Sequence, residues 1–444
     1  MKKSLSKFES LMLFLLPIVV FFSYYPVITL GANDSMNFEL SLPIIWLAIF
    51  GAVSLIRMPV IAKKLGLVKC LAICALPVYV TLSILWSGNK IRGILTAGIL
   101  WLIVFSVVNI LSMKLDKEYL KKLLKVYLIS AVIAAVVCIV QCFLDVFGVS
   151  RDITMLCPGC TYTTLGFPHP NGLAIEPQFM GNLLIAPALI SLSLFYNAIK
   201  VKKNKRAMFG FGALSFFLIM VIYICFSRGA LYAFGIAGII FGIILLVRDK
   251  SARAFLMLIP AVLGCLAGLL MQGVFAEMSP TAENFAQGIQ RSIHQVTLGK
   301  IDIREKVKET GEQSSFSGYV EESTDIRLNL TDIAIKTWKK NIWVGVGVGN
   351  AGNAMSDQMN GYKKEIIQNE YINILTELGI IGVMILVIVI GYMIKCSKWP
   401  KSAVIIPIIV AYLITLGFFS GFPNVLHIYL LTPVVYGLGQ KRLL

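Results

Sequence analysis

Apolar runs long enough to cross a hydrocarbon core, which takes about 20 residues per helix, recur along nearly the whole chain. Twelve stand out, at 11–30, 42–56, 67–85, 94–111, 127–146, 179–198, 208–226, 230–247, 254–274, 372–394, 403–419 and 425–438. The expected fold is therefore all-α, a polytopic membrane protein of about 12 transmembrane helices. Composition points the same way. The chain is 57% hydrophobic, above the roughly 45–50% of soluble domains, with a mean hydropathy of +0.81. The first run follows Lys2, Lys3 and Lys7, as a secretory signal would. No small-x-small cleavage site follows, and further spans come at once, so it reads as a retained first helix.

The net charge of +17 could signal nucleic acid or anionic lipid, so position has to decide its meaning. Most of the 40 basic residues fall in seven segments: the N-terminus, 57–69, 114–125, 200–206, 248–253, 395–401 and the Lys441, Arg442 tail. These alternate with every second span, the pattern of cytoplasmic loops. Both termini are then expected in the cytoplasm, and no nucleic-acid partner is implied. Two segments on the opposite face exceed simple turns. One is 148–177. The other, 275–368, lies between spans 9 and 10 and is long enough to carry function. The chain thus divides into membrane helices 1–9 over 1–274, a large extracytoplasmic loop over 275–368, and membrane helices 10–12 over 369–444. Within the loop, 304–322 is polar and reads as a surface segment. A helix should follow it, with Ile326, Leu330, Ile333, Ala334 and Trp338 on one side and Asp332, Lys336, Lys339 and Lys340 on the other. Such a helix either lies on the membrane surface or packs on a core of the loop's own.

Polar groups gather at span ends on the outward face, where charge is costly in lipid and tends to mark a site. Arg228 interrupts apolar sequence and departs from the positive-inside pattern, either as an anion site or as an interfacial arginine. Arg327 opens the amphipathic helix, as an anion ligand or as half of a salt bridge with Asp325 or Glu322. Guanidinium groups match phosphate oxygens through paired hydrogen bonds. Gly345, Gly347 and Gly349 have the wrong spacing for a nucleotide loop and read as a tight turn allowing close backbone packing. The run Gln368, Asn369, Glu370, Tyr371 enters span 10, and Glu377 follows Glu370 by two helical turns. Glu370 could accept a hydroxyl proton or cap an ordinary span. In the other loop, Glu176 stands at a span edge and His169 is of the residue type that could titrate near neutral pH. Cys157 and Cys160 flank Pro158 and Gly159 in the same loop, where outside the cytoplasm they could form a small structural disulfide, stay free thiols or serve catalysis. No spacing suggests a metal site, and no cofactor is implied.

Taken together, Ser227-Arg228-Gly229 ending one span, Arg327-Leu328 followed by Trp338, the three alternating glycines, and Asn369-Glu370-Tyr371 through Glu377-Leu378-Gly379 resemble the O-antigen ligase and O-antigen polymerase superfamily of bacterial membrane glycosyltransferases. The resemblance covers roughly residues 160 to 385. It implies an inverting, metal-independent reaction in which a sugar hydroxyl displaces the diphosphate of a polyprenyl-linked glycan, outside the cytoplasmic membrane. Donor and acceptor would be a polyprenyl-diphosphate-linked glycan and a glycan or lipid-linked acceptor, with glycan-export machinery as a further partner. Arg228 and Arg327 match the family's diphosphate-contacting arginines, with Asn369, Tyr371 and the glycines in support. The chain departs from the family's ligases at Gln368, where they commonly carry His. Gln cannot act as a base at neutral pH, so any base must be Glu370, Glu176 or His169, and the polymerase reading gains over the ligase. Two other classes remain open: a transporter or flippase of lipid-linked glycan, which would show broken helices and buried ionisable groups, and a non-catalytic partner of an export complex.

Overall fold

A computed structural model describes residues 6–23, 28–30, 38–113, 115–147, 168–202, 204–278, 284–297, 315–356, 367–396, 401–419, 422, 425–441 and 443–444. Its helices, in chain order, are α1 Lys7–Val19, α2 Leu42–Leu65, α3 Leu67–Ser83, α4 Lys90–Ser112, α5 Lys117–Val146, α6 Pro177–Asn197, α7 Lys205–Ile224 and α8 Arg228–Asp249. There follow α9 Leu258–Met278, α10 Phe285–Val296, α11 Ser315–Lys339, α12 Ala351–Ser356, α13 Glu370–Cys396, α14 Ile405–Leu416 and α15 Leu426–Gln440. Among the described residues, 9 helices are long and apolar enough to cross a membrane. They coincide with nine of the twelve expected runs. The other three runs fold as shorter helices, α1 with 13 residues, α14 with 12 and α15 with 15. Side chains such as Ile56, Phe209 and Val247 are more than 70% exposed along the long helices. That apolar surface suits lipid and would be a liability in water.

Two expectations are corrected here. The run 11–30 is not one span: α1 starts early, at a Ser6–Glu9 capping box, and ends at Val19. Ile28–Leu30 is instead a strand (β1), paired antiparallel with Phe38–Leu40 (β2). Hydropathy alone does not distinguish the two, whereas β-branched Ile28 and Thr29 and the Phe38-Glu39-Leu40 alternation favour a strand. The segment 304–322 is also not all irregular, since α11 is already helical from Ser315. Residues 304–314 lie outside the described residues.

The described chain divides into two compact units. One takes Met1–Leu123, Ile326–Lys401 and Leu416–Lys441. Its helices are tied by a few polar bonds that lipid cannot replace. Trp46 donates to the Met12 carbonyl at 2.8 Å, Asn109 to the Ser54 hydroxyl at 3.0 Å, and Tyr79 to the Leu378 carbonyl at 2.9 Å. Glu9, 1% exposed, pairs with Arg57. The second unit takes Leu124–Asp325, Ser402–Thr415 and Arg442–Leu444. At its centre stands α6. Its most apolar window is 89% buried against 39% or less in the other long helices, so it is jacketed by protein while they face lipid. Gly264 and Gly268, four apart on α9, bring α7 close: a Cβ on Gly268 would stand 2.6 Å from that of Tyr223. Small residues at this spacing are how membrane helices approach without a hydrophobic drive between them.

Candidate functional site

In the first unit the glycine turn and α13 are built into each other. α13 breaks at Gly379, whose φ of 63° and ψ of −170° no helix permits. The break strands carbonyls above it and amides below it. The turn takes up both sets. Val346 and Gly347 donate to the Thr376 and Glu377 carbonyls at 2.9 Å, and Ile380 and Ile381 donate to the Ile342 and Trp343 carbonyls at 3.0 Å. Irregular backbone at membrane depth is tolerated where protein satisfies it in this way. Gly345, Gly347 and Gly349 all have positive φ, at 68°, 91° and 71°. A Cβ on Gly347 would lie 2.6 Å from the Ser87 Cα, so the turn also abuts the loop before α4. Ser87 donates to the Val348 carbonyl at 3.0 Å, and Val348 donates to the Ser83 hydroxyl at 3.2 Å. The expected tight turn for close backbone packing is what the geometry contains.

The Glu377 carboxylate closes the arrangement. It accepts the backbone N–H groups of Ala351, at 3.3 Å, and Gly349, and it feels the charge of Arg92. A Cβ on Gly349 would lie 2.9 Å from the Arg92 carbonyl carbon, so the head of α4 packs directly on the turn. Arg92 is exposed and forms no salt bridge among the described residues. Sequence reasoning passed over it. The signal was available, because the turn carrying Lys90 and Arg92 breaks the alternation of basic segments as Arg228 does.

At the head of α13, Asn369 acts as an N-cap: its carbonyl oxygen accepts from Ile372 at 3.1 Å and its amide donates to Gly417 at 3.0 Å. Glu370 is 4% exposed and accepts the Phe422 N–H at 3.3 Å. Its neighbour Tyr371 is 45% exposed. Gln368 holds a buried side-chain oxygen with no hydrogen-bond donor among the described residues. Nearby, Leu330 and Ala334 of α11 pack with Ala351, Met355 and Ile367, and Ile326, Ile333 and Ile372 close over them. Of the two settings open to this helix, a core of the loop's own is the one found. Arg327 follows Ile326, which packs on that core, and is half-buried. Of the two salt bridges expected as Arg327's alternative, the one with Asp325 does not form, and the Glu322 side chain lies outside the described residues.

The second unit carries the other three candidates. α7 hands over to α8 through Phe226, whose φ of 55° is rare for a side chain of that size. Ser227 caps α8, accepting from Ala230 at 3.3 Å, and Arg228 is the first helical residue, half-buried. Gly181 of α6 makes room for this turn, since a Cβ there would stand 2.9 Å from that of Ala230. The Pro168–Gly172 segment folds inward. Gln141 of α5 accepts from Asn171 and Gly172 at 3.1 and 2.8 Å and donates back to the Gly172 carbonyl at 2.8 Å. His169 beside it is half-buried, and Glu176 precedes α6 and accepts from the Gln178 amide. Cys157 and Cys160 lie outside the described residues.

No curated protein and no solved structure matches the chain. Residues 213–387, which run from α7 through the break in α13, match the family model of O-antigen ligase. That segment gives this multi-pass membrane protein an O-antigen ligase domain, which supports membership of the O-antigen ligase superfamily and a ligase-like role in membrane glycan processing.

Proposed function

We propose that the chain polymerises or ligates polyprenyl-diphosphate-linked oligosaccharides on the outer side of the bacterial cytoplasmic membrane, with both termini in the cytoplasm, and that Gln368, standing where the family's ligases commonly carry His, favours polymerisation. The match of residues 213–387 to the O-antigen ligase family carries the reading. In the step proposed, an acceptor sugar hydroxyl attacks the anomeric carbon of the donor glycan from the face opposite the diphosphate. The new glycosidic C–O bond forms as the bond to the diphosphate oxygen breaks, which inverts the centre. Negative charge grows on the departing polyprenyl diphosphate, and Arg228 and Arg327 lower the barrier by meeting it. That Arg327 pairs with no carboxylate among the described residues supports that role. The hydroxyl proton passes to Glu370, Glu176 or His169. Since Glu370 is buried and bonded to a backbone N–H, Glu176 and His169 are the better placed acceptors. Asn369, Tyr371 and the three glycines hold the frame. Product formation from purified donor lipid in membranes without ATP or added divalent metal tests the reading. Failure there with an intact, folded protein would refute it.

The transporter reading keeps one observation in its favour, the interrupted α13. Interrupted helices of transporters expose their free ends to a substrate cavity. Here the free amides and carbonyls are consumed by the glycine turn, which supports the enzyme instead. Proteoliposomes that move labelled lipid-linked glycan and form no new glycosidic bond would reverse this choice.

A further inference from the structure

α2 and α3 form a hairpin about Gly66, and between them and α4 lies a cavity of about 330 Å³. Its walls include Leu55, Met58 and Ala62 of α2, Cys70 and Cys74 of α3, and Phe105 of α4. The two ends are set by close contacts. At one, Gly51 lets α2 and α4 touch, since a Cβ there would stand 2.7 Å from the Leu102 side chain. At the other, the Cys70 thiol donates to the Ala62 carbonyl at 3.7 Å and ties the hairpin together. The lining is apolar, apart from two thiols. Such a cavity stays dry and takes apolar guests. Leu55 in its wall is 50% exposed and Ile56 beside it 78%, so the cavity is a groove on the lipid-facing surface. From Leu55 to Leu65, both in the lining, it follows α2 for about 15 Å. That is half of a hydrocarbon core of about 30 Å, the depth of one leaflet.

The hairpin end of the groove is basic. Lys63 follows Ala62 and Lys69 precedes Cys70, both exposed and neither in a salt bridge among the described residues. The sequence holds no Asp or Glu between Glu39 and Asp116. Carboxylates that flank these helices are engaged elsewhere: Glu9 pairs with Arg57, Glu118 with Lys121 at 2.7 Å, and Asp116 accepts the Tyr119 N–H at 2.7 Å. Gly66 between the two lysines has a φ of 81°, and a Cβ there would meet nothing within 4 Å, so the turn leaves open space. An apolar groove one leaflet deep, ending at two uncompensated cations, matches a lipid whose headgroup carries net negative charge. A zwitterionic lipid would fill the groove and leave the lysines uncompensated. Basic pockets between membrane helices bind anionic headgroups for this reason.

We propose that the groove between α2, α3 and α4 holds one anionic glycerophospholipid, with an acyl chain along α2 from Leu55 to Leu65 and its phosphate at Lys63 and Lys69. The site rests on the membrane-spanning character of these helices and not on the transferase reading.

The test is native mass spectrometry of the full chain released from nanodiscs that contain phosphatidylglycerol and phosphatidylcholine with identical acyl chains. One phosphatidylglycerol should stay bound after phosphatidylcholine has been stripped. Lys63→Gln and Lys69→Gln should each lower its retention about fivefold, the effect of one basic residue at a membrane surface. Lys205→Gln, at an exposed lysine of α7, should leave it unchanged. Cys74→Trp fills the groove and should abolish retention; should that variant fail to fold, the two exposed lysines decide the matter alone. Equal retention of the two lipids, wild-type retention in both hairpin variants, or an equal loss in Lys205→Gln would overturn the proposal. Displacement of phosphatidylglycerol by an equal concentration of undecaprenyl phosphate would also overturn it, and would assign the groove to a polyprenyl chain.

Discussion

Replacing Gly347 by alanine tests whether the glycine turn is a structural keystone. The residue sits at φ 91°, where an L side chain costs on the order of 1–3 kcal/mol. The new Cβ would also lie 2.6 Å from the Ser87 Cα and 2.7 Å from the Ser87 nitrogen. Those are backbone atoms, so relief requires the turn and the head of α4 to part. Parting puts at risk the Gly347 N–H to Glu377 carbonyl bond and the Ser87 to Val348 bond, each worth about 0.5–1.5 kcal/mol. The expected destabilisation is roughly 2–6 kcal/mol, a fall of about 2–6 °C in the melting temperature of the purified protein. Gly98→Ala is the control. Gly98 lies within α4 with nothing within 4 Å of a Cβ, and alanine there should be neutral or stabilising by about 0.5–1 kcal/mol. If Gly347→Ala melted like Gly98→Ala, the turn would not be bearing on α13 and α4 as described.

The proposed diphosphate clamp predicts that Arg228→Lys or Arg327→Lys lowers turnover at least about tenfold at wild-type membrane abundance, since lysine keeps the charge and loses the fork. Single Ala variants should lose about 10²–10³, and the double Ala variant less than the product of the two, as for groups acting on one leaving group. Simple multiplication would mean independent roles. Arg57→Ala should destabilise the fold by about 3–5 kcal/mol, because Glu9 at 1% exposure is left as an uncompensated buried charge; Glu9→Gln in that background should restore much of the melting temperature. Asn369→Ala should cost about 1 kcal/mol through the lost cap of α13, and a variant as stable as wild type would mean that the cap contributes nothing.

The spans were legible because hydropathy is local: a stretch that avoids water declares itself in its own 20 residues. What the sequence hides is the partner. Nothing around Gly379 says that its helix breaks, because the groups that satisfy the break lie some 30 residues earlier, at Ile342 through Gly347. The glycines themselves were readable as a turn, Arg228 as a candidate cation because it breaks an apolar run, and Arg327 because it opens the amphipathic helix. Amphipathic helices fare differently. Periodicity gives the direction of the apolar stripe along a helix but not which side faces inward, and that depends on the medium. In α11 the stripe points in, with Leu330 and Ala334 on Ala351 and Met355. In α10 the polar stripe points in, with Arg291, His294 and Gln295 buried and Phe285 outside. Phe285 is 38% exposed yet its ring also lies against Gly273 of α9, so the apolar stripe of α10 is shared between the neighbouring helix and the surroundings. The interior beside Gln272, by contrast, holds polar groups that only hydrogen-bonding partners can satisfy. Which side of an amphipathic helix turns inward thus becomes visible only once neighbouring helices are in place.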